Sequence, residues 1–195
     1  MERAKNLSSS IFPENLKDQI AILSLYFPRI KVPQEIPYTS AFGFIRWESI
    51  AKNYPAALKM MIEAFKRNFE VHLEVDLKKV EREEIIETKQ DVFWGKVNFF
   101  ENFSAQTVKK IVKKAKKENF SLGIFEVGCL ILTHSERFSK SIGFNCIGDR
   151  YQEKGLMRAS VVYHPWIYVS DNQIRIGFEW EGVVKIDYLT PVFRF

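Results

Sequence analysis

Two hydrophobic periods divide the chain between them. Behind Ser10 and Pro13, which suit a helix start, Leu16, Ile20, Leu23 and Phe27 recur at helical spacing and predict a buried stripe. Pro28, Pro33 and Pro37 end that helix and impose an irregular connector as far as Thr39. Residues 41–47 are apolar and read as a short buried strand or loop. Pro55 opens a second helix, on which Leu58, Met61, Ile62 and Phe65 share one face.

The period then falls from about 3.6 to 2. Val71, Leu73, Val75 and Leu77 alternate with His72, Glu74, Asp76 and Lys78, the pattern of a strand with one polar face. Residues 83–89 and 92–100 read as two further strands of a meander. Ser104 is a good N-cap for a third helix, whose narrow stripe is Val108, Ile111, Val112 and Ala115. Residues 122–133 are almost wholly apolar and read as a central strand covered on both faces.

Residues 135–155 are polar and turn-rich, and they are the best candidate for a boundary. Beyond them everything reads as β: residues 156–163 and 166–169, separated by His164-Pro165, then residues 173–180 and 183–189. Asp171-Asn172 and Glu181-Gly182 supply the turns. The expected fold is α+β, a largely antiparallel, twisted sheet with some tendency to curl toward a barrel, and two or three helices packed on one face. The expected organisation is a single domain over 1–195: a mainly helical leader (1–68), a strand meander with the basic helix and central strand (69–134), and antiparallel hairpins (156–195).

Composition supports a packed core, with 46% hydrophobic residues and 17 phenylalanines in 195 residues. Cys129 and Cys146 are too few for a disulfide framework. No stretch approaches the roughly 18 apolar residues that span a bilayer, and the early apolar stretch 20–27 lacks the flanks of a signal peptide. A soluble cytoplasmic protein is expected.

Charge changes the picture most. The net charge is +5, from 29 basic and 24 acidic residues. Lys109, Lys110, Lys113, Lys114, Lys116 and Lys117 stand together without an intervening acid, and setting those six aside leaves −1. The basic excess is therefore local. Lysines at i, i+3 and i+4 repel one another by a few tenths of a kcal/mol per pair. A helix needing only solubility usually intersperses glutamates. Phosphate contact, with release of counterions, gives such a run a use. The six lysines are thus the expected nucleic-acid-binding residues, for RNA or without sequence preference, with Phe99, Phe100 and Phe103 as candidate stacking partners. A membrane-surface role fits less well, because the stripe lacks the Trp, Phe and Leu of interfacial helices. Protein partners within a larger assembly are compatible with this reading. The plain alternative is a solvated outer face.

A second constellation is Asp76, Glu83 and Glu87-Thr88-Lys89, an acid followed by Glu-x-Lys, loosely the pattern of a metal-dependent phosphodiesterase or nuclease. If residues 71–78 and 81–89 formed a hairpin about Lys79-Val80, Asp76 would oppose Glu83 and His72 would oppose Glu87. Asp76 and Glu87 would then stand about 13 Å apart, too far for one metal ion. A third reading is a small-ligand-binding or scaffold protein. There Tyr163, His164, Trp166, Phe178 and Trp180 line a pocket with Arg158 and Arg175 as polar anchors. His72, His134 and His164 match no metal-ligand spacing. Cys129 reads as inert core, and Cys146, in a more polar setting, is the more available thiol. No catalytic residue, metal or cofactor is assigned.

Overall fold

The computed structural model describes residues 15–83, 88–100, 107, 110, 119–138, 141–151, 162–180 and 188–194. Among these lie three α-helices and ten strands, and Thr107 and Lys110 are also helical. The predicted α+β class is observed.

Helix α1 (Leu16–Tyr26) is capped by the Asn15 side chain, which accepts the Lys17 N–H at 2.9 Å. Ser10 and Pro13 lie outside the described residues. Leu16, Ile20, Leu23 and, just beyond the helix, Phe27 are buried as the spacing requires. Strand β1 (Phe42–Ile45) follows, buried throughout. Gln19 ties α1 to it: its Nε2 donates to the Ala41 carbonyl and its Oε1 accepts the Gly43 N–H, both at 2.9 Å. A buried side-chain amide thus satisfies two backbone groups at the start of β1 that would otherwise cost free energy. Helix α2 (Tyr54–Phe65) has Asn53 as its N-cap and Pro55 in its first turn. Ala57, Leu58, Met61, Ile62 and Phe65 form its buried face.

Strands β2 (Glu70–Leu73) and β3 (Val80–Arg82) do not form the expected hairpin. The chain between them turns through a short 3-10 helix, Leu77–Lys79, in which the Asp76 side chain accepts the Lys78 N–H and Leu77 is buried. Leu77 and Val80 are drawn into the core beside α2, which separates the two strands. Glu83 and Lys89 are not in a strand, and residues 84–87 lie outside the described residues. Strand β4 (Val92–Phe100) matches its predicted bounds.

The largest correction is at residues 122–133. Strand β5 (Asn119–Ser121) ends as this run begins, and the run forms helix α3 (Ile124–Thr133), every residue of which is buried. A segment apolar on all sides has neither period to read, so pattern alone does not separate strand from helix. Length and Glu126 are the local cues. Twelve residues exceed an ordinary strand, and a glutamate at N3 reaches back to the N-cap, here accepting the Gly123 N–H at 2.9 Å. Helix α3 packs against α1, α2, β1 and β8, so it lies at the centre of the core.

Within the polar run 135–155, the described residues hold β6 (Ile142–Asn145) and β7 (Asp149–Tyr151), which its turn-rich pattern did not predict. Strand β8 (Tyr163–Ser170) runs straight through His164-Pro165. Its first residue pairs with β7 and residues 166–169 pair with β6, and Pro165 sits at the changeover. Asp171 and Asn172, with φ of 42° and 66°, turn β8 into β9 (Gln173–Trp180), as predicted. Ile174 and Ile176 are buried and Phe178 half-buried. Residues 181–187 lie outside the described residues, and β10 (Thr190–Arg194) closes the described chain.

The strands form two sheets that are not closed into a barrel. One has the order β1-β4-β10-β5, with antiparallel neighbours; the other is β2-β9-β8-β7-β3, with β6 also on β8. Among the described strand pairs, only β2 with β9 is parallel. A parallel bridge joins the sheets at Phe144 and Leu189, where the Asn145 N–H donates to Leu189 O and the Leu189 N–H to Gly143 O, both at 2.8 Å. Phe44, Phe93 and Phe193 pack together on the first sheet at centroid distances of 5.3–5.4 Å.

Candidate functional site

Strands β4 and β5 are both antiparallel to β10 and flank it. The chain between them therefore carries the lysine run from one side of β10 to the other. Of the six lysines, Lys110 is described: it is helical and exposed, as is Thr107 one turn before it. Lys109, Lys113, Lys114, Lys116 and Lys117, together with Ser104 and the stripe residues 108, 111, 112 and 115, lie outside the described residues.

Sequence reading missed two cations on the adjoining sheet. Register places Lys96 of β4 directly opposite Arg194 of β10, and both side chains are exposed. Arg194 is in turn paired with Asn119, the first residue of β5, which Lys116 and Lys117 precede by three and two positions in the chain. Among the described residues, neither Lys96 nor Lys110 has an ion-pair partner. The cue available in sequence was the alternation of β4, which sets Lys96 and Asn98 on a face apart from Phe93 and Val97. The strand partner could not be read. Phe99, a proposed stacking residue, is turned inward against Phe42 and Phe144, at 6.0 and 6.5 Å. Phe100 is half-buried and Phe103 lies outside the described residues.

Of the acidic constellation, Asp76 and Glu83 are described and they serve separate local roles. Asp76 caps the 3-10 turn, the Glu83 N–H bonds Gly148 O at 2.9 Å on the β3–β7 side, and Glu87 lies outside the described residues. Among the described residues no three His, Cys, Asp or Glu side chains are grouped to hold a metal ion.

The aromatic pocket is split by the sheet. Trp166 is buried on one face above Gly177 and edge-on to Tyr188, while Tyr163, Phe178 and Trp180 belong to the other, where Phe178 stacks on Tyr151 at 4.2 Å. Arg175 pairs with Glu74 on the exposed edge, and Arg158 lies outside the described residues.

Cys146 is as buried as Cys129, contrary to its polar sequence setting. Burial pushes the Cys129 thiol up to about 12 and Cys146 well above its usual range, so both are protonated and unreactive. His72 is exposed beside Glu70; His134 and His164 are buried.

Four polar side chains that sequence reading left unconnected meet inside the fold. Tyr54, Arg82, Glu126 and Asp149 come from α2, β3, α3 and β7. Asp149 Oδ2 accepts the Tyr54 hydroxyl and the Ile124 N–H, each at 2.7 Å. Arg82 approaches Asp149 Oδ1 and Glu126 Oε2, both at 3.5 Å, and donates to the Ser121 carbonyl at 3.0 Å. Its neighbour Gly148 leaves no space for a side chain between Arg82 and Ser121. The cluster is sealed from solvent, so substrate cannot reach it.

No protein-family model, curated protein or solved structure matches the chain. Among the described residues no helix is long and apolar enough to cross a membrane.

Proposed function

We propose that the protein binds nucleic acid without reading its sequence, through a basic surface made of Lys96, Lys110 and Arg194 with the rest of the 109–117 lysines. The observation that carries this reading is the cross-strand pairing of Lys96 with Arg194 on the exposed side of β4 and β10. Both side chains stand where the lysine-rich connection rejoins the sheet, beside Asn119 of β5. A phosphate chain lying across β4 and β10 meets these cations and releases its counterions. The packing of half-buried Phe99 against Phe42 and Phe144 favours backbone contact over base stacking, hence binding indifferent to sequence. No catalytic residue is part of this reading.

The test is anisotropy with labelled single-stranded RNA and duplex RNA over a salt series. Wild type should bind at low salt, with log K falling linearly against log salt. Exchanging Lys96, Lys110, Lys113 and Lys114 for glutamine should flatten the slope by about 0.7–0.9 for each phosphate that is no longer neutralised. Equal binding by wild type and variant, or none at low salt, overturns the proposal.

A further inference from the structure

The Tyr54–Arg82–Glu126–Asp149 cluster holds two carboxyl groups against one guanidinium. Side-chain exposure is 4% for Arg82, 3% for Glu126 and 0% for Asp149. Helix α3 begins here and adds roughly half a positive charge at its N-terminus. With both acids ionised, the described groups still leave an excess of negative charge out of reach of water, where charge is costly. A single proton removes the excess.

We propose that this cluster is a proton-binding site: the folded chain keeps on Asp149 a proton that the unfolded chain gives up, so the site's own contribution to stability grows on mild acidification. The geometry specifies the atom. Oδ2 is already engaged by two donors at 2.7 Å, the Tyr54 hydroxyl and the Ile124 N–H. Among the described residues Oδ1 has only the 3.5 Å approach of Arg82, and it takes the proton. Arg82 then keeps Glu126 and the Ser121 carbonyl as partners.

Other groups face Asp149 from the elements packed around it. Tyr54, on α2, is held neutral by burial and by Asp149, well above its usual range. Cys146, in the β6–β7 connection, is neutral for the same reason. His164, on β8, meets the backbone carbonyl of Asp149 through Nδ1 at 2.6 Å, not its carboxyl group. Burial, first, and then the charge of Glu126 push the Asp149 carboxyl up to about 7, against the pull of Arg82, Tyr54 and the Ile124 N–H.

Below about 4 both folded and unfolded chains hold the proton; between about 4 and 7 only the folded chain does; above that neither does. The stabilisation is therefore full at acid pH and is lost as pH rises through about 7.

Carbon-13 NMR of the Asp149 carboxyl in the full chain reads the site directly. The expected midpoint is near neutrality, falling by about a unit or more in Glu126→Gln, where the repelling charge is gone. It should be unmoved in His164→Gln. In denaturant titrations, the unfolding constant of wild type relative to Asp149→Asn should rise about tenfold per pH unit between 5 and 7. A carboxyl midpoint below 5, a midpoint unaltered in Glu126→Gln, or a transition lost in His164→Gln overturns the proposal. Should Asp149→Asn fail to fold, the carboxyl titrations decide it alone.

Discussion

Gly148 lies against the Arg82 guanidinium, in a space bounded on its other side by the Ser121 carbonyl. A Cβ at this position would overlap both, and one of the two is backbone that cannot swing away. Gly148→Ala should therefore destabilise the fold by about 2–3 kcal/mol, the upper range for overpacking. Urea unfolding checks it. A change under about half a kcal/mol, small beside that range, would mean that β5 and β7 are only loosely apposed.

The thiols give a second prediction. Both cysteines are buried, and burial keeps both protonated. A thiol reagent at pH 8 should label neither in the folded protein and both after denaturation, as read by absorbance. Fast labelling of Cys146 in native conditions would revive the case for a reactive thiol there.

His134 predicts a pH dependence opposite in sign to that of Asp149. Its Nδ1 lies 2.8 Å from Thr133 Oγ1 and 3.2 Å from Leu130 O, and its ring packs on Phe42. Burial, chiefly, lowers it to about 4. The stability it contributes is present above 6.5 and is lost as pH falls toward 4, about 3 kcal/mol across that window. Stability curves of wild type and His134→Gln should converge as pH drops from 7 to 4. Parallel curves would contradict a buried neutral imidazole.

At the β8–β9 turn, Asp171 and Asn172 both have positive φ. Glycine adopts that backbone without the Cβ penalty, whereas alanine meets it in full. Asn172→Gly should raise stability by several tenths of a kcal/mol and Asn172→Ala should lower it by about 1 kcal/mol. Thermal melts distinguish the two, and the reverse order would rule out this turn type.

The elements that were legible carry local signals. Pro55 with the spacing of Leu58, Met61, Ile62 and Phe65 placed α2, and Asp171-Asn172 placed a hairpin. Helix α3 was illegible by periodicity, since a core helix buried on every side has no polar face to betray its pitch. The β2–β3 pairing failed for another reason: the turn between the strands is decided by the burial of Leu77 and Val80 under α2, a tertiary effect. The same holds for the sites. The lysine run announces itself in sequence, but Lys96 and Arg194 are separated by half the chain, and only strand register joins them. Asp149 read as part of a polar turn, because nothing near it in sequence reveals that Tyr54, Arg82 and Ile124 will surround it.

Strand β10 occupies an interior place in its sheet, yet a long stretch of chain separates it from β5, the later of its two neighbours in sequence. During synthesis at about 5–20 residues per second, β4 and β5 emerge several seconds before the strand that belongs between them. For that interval two complementary edges stand open on the nascent chain. Any binding partner or chaperone that shields them then would govern how much protein reaches its final form.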